Sequence, residues 1–204
     1  MIFIKLQTKR LVNLHSSHMQ KVLFIDRDGT IILETDDFMI ETYAKITFYP
    51  KVFYWLGKIV EEFNYKLVLV TNQDGLGSSF FPDEPFFTTH KFVMRTFADQ
   101  GIHFAAEHID RTFPNEDKDT RKPGVGMLKE YFSPDFDLKN SFVIGDRITD
   151  VMLAKNLGAK CFWLNDGRNL GGGEVELSSD ALQEYIAVES RDWEKIYEYL
   201  KSVN

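Results

Sequence analysis

A short apolar run that ends in two aspartates constrains the fold of this chain more than any other feature. Residues 22–25 read Val-Leu-Phe-Ile and are followed by Asp26, Arg27, Asp28 and Gly29. An uninterrupted apolar run of this length is typical of a strand that is buried on both faces, and a glycine lets the backbone after it approach a ligand closely. Because open α/β sheets bind ligands where their strands end, the run predicts a functional site directly after a buried strand.

Similar apolar runs alternate with helical patterns along the rest of the chain. Strands are predicted at 22–25, 66–70, 106–110, 141–145 and 160–164, and helices at 51–63, 84–99, 125–132, 149–157 and 192–202. This alternation indicates an α/β fold, a doubly wound parallel sheet with helices on both faces. The elements use up most of the chain between the polar motifs, so no large cap domain is expected. Residues 1–18 are predicted to be a poorly ordered leader, and residues 20–204 to form one domain.

Asp26 and Asp28 are close enough in sequence to share a cation. Two carboxylates about 4 Å apart repel by about 4 kcal/mol at an effective dielectric constant of about 20. Mg²⁺ suits such a pair best, because it takes carboxylate oxygens, keeps waters and shares phosphate oxygens. An acidic surface turn is the alternative interpretation of this motif on its own.

Two later loops carry groups that suit a phosphate. The second predicted strand ends in Thr71, Asn72 and Gln73, ahead of a glycine-rich stretch whose backbone N–H groups can hold an anion. A loop with a threonine cap explains that stretch equally well, and it has the glycine spacing of neither a Walker loop nor a dinucleotide fingerprint. Arg121 and Lys122 place two cations just before a predicted helix.

Asp146 ends the fourth predicted strand, and Asp150 follows one helical turn later. Taken in order with the earlier motifs, these residues resemble the signature of the haloacid dehalogenase (HAD) superfamily of aspartyl-phosphate phosphatases. The resemblance implies a Rossmann-like core, Asp26 as nucleophile and Asp28 as acid and base. It also implies a Mg²⁺ bound by Asp26, the backbone carbonyl of Asp28, and Asp146. The residues expected to bind phosphate or substrate are Arg27, Glu34, Thr71, Asn72, Gln73, Arg121 and Lys122.

Asp150 has two interpretations. It is expected to orient Lys122 or a metal-bound water from outside the ligand set. Compensation of the helix dipole in the first turn is the alternative.

The residues around the motifs resemble those of histidinol-phosphate phosphatases more closely, above all in the run 72–77. This implies hydrolysis of L-histidinol phosphate in histidine biosynthesis, with imidazoleglycerol-phosphate dehydratase as a fused or separate partner. Relatives often carry a zinc cluster of cysteines and histidines before Arg121, but residues 108–117 contain no cysteine. The chain has 1 Cys, Cys161, so no structural zinc is expected.

Two loops, residues 33–41 and 74–85, are expected to select the substrate. Their acidic groups suit a substrate that carries an ammonium, and Glu34 is predicted to bind it at the mouth of the site. Phe80 or Phe81 is expected to cover an imidazole. Solvated loop acids above aromatic side chains of the core are the alternative interpretation.

Composition excludes several classes of function. The net charge of -7 argues against nucleic acid or an anionic membrane as partner. No apolar run approaches the roughly 18 residues of a membrane span, and with the single cysteine this favours the cytoplasm. Two other functions stay open: a sugar phosphatase of the heptose-bisphosphate type, and a non-catalytic module that accepts a phosphoryl group.

Overall fold

A sheet of six parallel strands runs through the computed structural model, which describes residues 19–167 and 179–204. The strands are β1 (Lys21–Ile25), β2 (Tyr65–Asn72), β3 (Ala106–Asp110), β4 (Phe142–Gly145), β5 (Lys160–Trp163) and β6 (Ile186–Glu189). Their order is β3-β2-β1-β4-β5-β6, and each neighbouring pair is parallel. The predicted leader, residues 1–18, lies outside the described residues.

Helices cover both faces of the sheet. They are α1 (Val52–Glu62), α2 (Asp83–Asp99), α3 (Ile148–Leu157), α4 (Ser179–Leu182) and α5 (Trp193–Val203). Successive side chains of a strand point to opposite faces, so Leu23 and Ile25 pack with α1, α2 and α5. Val22 and Phe24 pack with α3 on the other face. The predicted doubly wound α/β fold is confirmed.

The chain changes direction between β1 and β4. From β1 it continues to β2 and β3 on one side, and then crosses back to β4, β5 and β6 on the other. Open α/β sheets bind ligands at the carboxyl ends of the strands at such a switch point. Asp26 directly follows β1 and Asp146 directly follows β4, so the topology brings the two aspartates together.

The connections on this side of the sheet are short. Residues 26–51, between β1 and α1, contain a single 3-10 turn at Tyr43–Lys45, and the connection between β2 and α2 spans residues 73–82. Neither is large enough for a cap domain, as predicted. Across residues 19–167 and 179–204, no helix has both the length and the apolar character that crossing a membrane requires.

Several elements differ from the sequence-based prediction, and the short helix α4 was not predicted. A helix is expected near 125–132, and Gly126–Phe132 is helical but of the 3-10 type, with a break at Leu128, where φ is -111° and ψ is 15°. The strand β6 was not predicted. Its residues 186–188 read Ile-Ala-Val, so an apolar run is present, but the strand lies at the edge of the sheet and is at most half-buried.

Candidate active site

A cavity of about 390 Å³ opens at the carboxyl ends of β1, β2 and β4. Of the site residues predicted from the sequence, all but Arg27 and Asp146 line it. Its floor contains buried polar groups, among them Asp26, Thr71 and Lys122, which are 6%, 1% and 3% exposed. The catalytic cavity, as we call it, therefore joins a buried polar floor to an open mouth.

Lys122 links two carboxylates at the floor. Its Nζ lies 2.7 Å from Asp26 Oδ1 and 2.8 Å from Asp150 Oδ1. Burial alone would lower the pKa of Lys122, but the charges of Asp150 and Asp26 outweigh burial and raise it. Asp150 also accepts a hydrogen bond from the backbone N–H of Arg147 at 3.1 Å. Asp150 is thus fixed in the first turn of α3 and holds Lys122 against Asp26.

Burial makes the two aspartates at the switch point hard to ionise. It raises the pKa of Asp26 to about 7, even though Lys122 acts in the opposite direction. Burial, followed by the charges of Asp26 and Asp150, raises the pKa of Asp146 well above its ordinary value. Both carboxylates therefore lie where a further positive charge would stabilise their ionised forms.

Asp146 has the properties of a metal ligand. Both of its carboxylate oxygens are buried and have no hydrogen-bond partner within the described part of the chain, whereas buried polar atoms are normally paired. Ligand atoms of Asp26, Asp146 and Asp150 all lie within 4.8 Å of one another. Because Asp150 is already bonded to Lys122, Asp26 and Asp146 are the better donors. An all-oxygen donor set of this kind fits Mg²⁺.

Gly29 makes room for this aspartate. Its φ is +74°, and a Cβ at this position would lie 2.1 Å from Asp146 Oδ2. The position therefore requires both the left-handed backbone and the missing side chain of glycine.

Asp28 is oriented by two side chains. Arg27 Nη1 donates to its Oδ1 and Gln73 Nε2 to its Oδ2, each at 2.6 Å. Gln73 Nε2 also donates to Thr71 Oγ1 at 2.9 Å. These bonds connect the turn after β1 to the end of β2 and hold Asp28 at the cavity.

The prediction that Arg27 contacts the substrate is corrected by its position. Asp26 and Asp28 line the cavity, whereas Arg27, between them in the turn after β1, does not. Arg27 is fully buried, and its guanidinium lies 5.0 Å from the ring centroid of Phe86. Its geometry fits a residue that positions Asp28.

Asn72 and Arg121 hold the loop that presents Lys122. Asn72 Nδ2 donates to the backbone carbonyl of Lys122 at 3.1 Å, and Asn72 Oδ1 accepts from the Lys122 N–H at 2.9 Å. Arg121 Nη1 donates to Asp74 Oδ1 at 2.5 Å and to the carbonyl of Thr112 at 2.9 Å. Both residues line the cavity, but these contacts tie them to the scaffold as well.

Some known proteins are similar to this chain in sequence, and others in fold. A family model described as HAD-hydrolase-like matches residues 119–184. The histidine biosynthesis bifunctional protein HisB of Spirosoma linguale is 48% identical over 187 residues, covering 90% of this chain and 49% of that protein. The protein of the same name from Bacteroides fragilis is 45% identical over 183 residues, covering 89% of this chain and 47% of that protein. The chain belongs to the HAD superfamily. It spans about half the length of these curated relatives.

A solved HAD structure has the same architecture. D,D-heptose 1,7-bisphosphate phosphatase from B. bronchiseptica, complexed with magnesium and phosphate, matches with a TM-score of 0.74 and 22% identity. The match covers 91% of this chain and 100% of that chain. At this level of identity the likeness shows the fold alone.

Asp110 supports the loop that leads to Arg121, a role that the sequence analysis did not predict. Its Oδ1 accepts from the N–H and the hydroxyl of Thr112 at 2.8 and 2.5 Å, and its Oδ2 accepts from Thr120 Oγ1 at 2.6 Å. The carboxylate is buried, and its hydrogen bonds hold together the loop of residues 110–120. An aspartate at a strand end, two residues before a threonine, was the available signal for such a turn.

Glu34 and Arg147 form part of the cavity wall. Arg147 Nη2 donates to Glu34 Oε1, and the Arg147 guanidinium lies 5.6 Å from the ring centroid of Phe38. Glu34 is thus at the cavity, as expected, but it already binds a cation of the protein. Neither Arg147 nor Phe38 was predicted as a site residue, although Arg147 directly follows Asp146.

The structure distinguishes the two phenylalanines that were candidates for covering an imidazole. Phe81 is 2% exposed and packs with Leu76 and Phe86 in a small core of its own, so it cannot cover a ligand. Its neighbour Phe80 is 67% exposed and lines the cavity.

Proposed function

We propose that the chain is a Mg²⁺-dependent phosphomonoesterase that hydrolyses L-histidinol phosphate through an aspartyl-phosphate on Asp26. The observation that carries this proposal is the buried arrangement at the cavity floor. There the Asp26 carboxylate lies 2.7 Å from the Lys122 ammonium and within 4.8 Å of Asp146, whose oxygens lack hydrogen-bond partners in the described part of the chain. Such a floor offers a nucleophile, a fixed cation and a metal ligand in one place.

In the first step, a carboxylate oxygen of Asp26 attacks phosphorus and the P–O bond to the substrate alkoxide breaks. Asp28 gives its proton to the departing oxygen. In the second step, Asp28 takes a proton from a water that attacks the same phosphorus, and inorganic phosphate leaves with Asp26 restored. The bonds from Arg27 and Gln73 to Asp28 keep its carboxyl group oriented through both steps.

Charge on the phosphoryl oxygens requires positive partners near the floor. Lys122 and the hydroxyl of Thr71 are placed to bind those oxygens where charge develops. Asp26, Asp146 and the backbone carbonyl of Asp28 would hold Mg²⁺, which would supply the positive charge that lets a carboxylate approach a phosphate dianion.

The choice of histidinol phosphate has two supports. The relatives that match 89–90% of this chain are named as histidine biosynthesis proteins. In addition, carboxylates outnumber cations among the cavity residues, which favours a phosphate ester that also carries an ammonium. Glu34 remains our candidate for binding the ammonium, and its carboxylate would then accept from both the ammonium and Arg147. Cytoplasmic location and a dehydratase partner, fused or separate, belong to the same proposal.

Release of phosphate from a panel of esters, with Mg²⁺ or with EDTA, tests the proposal. We expect the highest kcat/KM for L-histidinol phosphate and no turnover in EDTA. Preference for a heptose 1,7-bisphosphate would instead support the sugar-phosphatase alternative. Absence of turnover on every ester would support the phospho-accepting module.

A further inference from the structure

Three phenylalanine side chains from three different loops surround the mouth of the catalytic cavity. Phe38, Phe80 and Phe113 line the cavity, and they are 54%, 67% and 41% exposed. Large apolar side chains that are exposed together at one place mark a binding surface. We call these three residues the aromatic rim.

The loop that carries Phe38 is built to present its ring. Phe38 has a φ of +58°, a left-handed conformation that bulky residues rarely adopt. The loop is secured by the Asp37 carboxylate, which accepts from Thr35 Oγ1 at 2.8 Å and from Lys45 Nζ at 2.5 Å. The Phe38 ring then lies over the guanidinium of Arg147. Strained residues persist where the surrounding contacts determine them, commonly at ligand sites.

Phe113 is positioned by Gly75, a glycine of the loop after β2. A Cβ on Gly75 would lie 2.3 Å from Phe113 Cζ, so the ring lies directly against the backbone of this loop. Gly75 also has a φ of +71°. Gly75 belongs to the run 72–77, and because it has no side chain the Phe113 ring can pack directly against it.

We propose that the aromatic rim is the subsite for a planar ring at the far end of the substrate, which for histidinol phosphate is the imidazole. This inference rests on the proposed function. The phosphate is bound at the buried floor by Lys122, so the rest of the ester extends toward the exposed mouth, where the rim lies. Aromatic side chains stack against a neutral imidazole and attract an imidazolium through their ring faces.

Two esters that differ only in the ring test the inference. L-Histidinol phosphate has phosphate, ammonium and imidazole, whereas L-alaninol phosphate has phosphate and ammonium alone. The quantity measured is the ratio of their kcat/KM values, with KM and kcat determined separately. We expect Phe38→Asn and Phe113→Ala each to lower this ratio by about two- to tenfold, mainly through KM of the imidazole ester.

The variants are chosen to separate ring loss from loop damage. Asparagine adopts the left-handed conformation readily, so Phe38→Asn keeps the loop and removes the ring, and Phe38→Tyr should restore the ratio. Phe132→Ala removes a phenylalanine that is 50% exposed and lies outside the cavity lining, and should leave the ratio as it is.

An unchanged ratio in both rim variants, with histidinol phosphate still hydrolysed, would overturn the subsite and leave the proposed function intact. If the unmodified protein hydrolysed neither ester, the proposed function would fail and this inference with it.

Discussion

Lys122 compensates two buried carboxylates at once. Its ammonium contacts Asp26 and Asp150 within 2.8 Å, and all three side chains are at most 7% exposed. Burying charges costs several kcal/mol each unless they are paired. The lysine therefore stabilises the fold as well as placing a cation beside the proposed nucleophile.

We predict that Lys122→Met lowers the free energy of unfolding by about 3–5 kcal/mol in the absence of Mg²⁺, because it leaves two buried carboxylates without their cation. Urea denaturation measures this change. Lys129→Met is a matched control, since Lys129 and its partner Asp119 are 73% and 69% exposed and such pairs contribute little. Equal stability of the two variants would contradict this account of Lys122.

The central strands were predictable because burial on both faces leaves a continuous apolar run in the sequence. β1, β2, β4 and β5 all carry this signal, and the motifs that follow them meet at one edge because parallel strands end together. The edge strand β6 also carries an apolar run, residues 186–188, but it is at most half-buried and was not predicted. Within loops, the sequence could not show which of two adjacent residues faces the cavity. For this reason Arg27 was expected at the site, and Phe81 was an alternative to Phe80.

The turn after β1 gives a prediction about metal binding. Gly29→Ala and Gly101→Ala both place alanine at a positive φ, which costs about 1–2 kcal/mol. Only at Gly29 does the new Cβ collide with Asp146, since Gly101 has nothing within 4 Å. Titration of activity with Mg²⁺ should show a half-saturation concentration raised about tenfold or more for Gly29→Ala. A similar concentration for both variants would remove the link between Gly29 and the metal site.

The molecule as a whole carries a net charge of -7, and within the described residues Asp26, Asp146 and Asp150 form an acidic cluster at the switch point of the sheet. A cation that binds only the folded state stabilises it. In contrast to many buried groups, Asp146 has carboxylate oxygens without a hydrogen-bond partner in the described residues, so its charge is costly to the metal-free fold.

We predict that Mg²⁺ raises the Tm of the unmodified protein and has no such effect on Asp146→Asn. In EDTA, Asp146→Asn should have a higher Tm than the unmodified protein, because the amide removes one buried negative charge. Thermal denaturation of both proteins in the two buffers checks this. A Mg²⁺-induced rise of equal size in Asp146→Asn would exclude Asp146 as a ligand.

The segment before Arg121 gives a separate prediction about zinc. With 1 Cys in the chain, and with Asp110 bonding Thr112 and Thr120, hydrogen bonds hold this loop. Elemental analysis of the purified protein should therefore find no stoichiometric zinc. One tightly bound zinc per chain would mean that another set of ligands holds the loop.

Phosphate release from L-histidinol phosphate by the unmodified protein and by Asp26→Asn, measured side by side with Mg²⁺, tests the proposed nucleophile most directly. Asparagine at this position can still accept a hydrogen bond from Lys122 but cannot form the acyl phosphate. We predict steady turnover by the unmodified protein and a loss of at least about a thousandfold in Asp26→Asn, with circular dichroism showing that the variant is folded. Activity of Asp26→Asn within about tenfold of the unmodified protein, with deamidation excluded by mass spectrometry, would contradict Asp26 as the nucleophile.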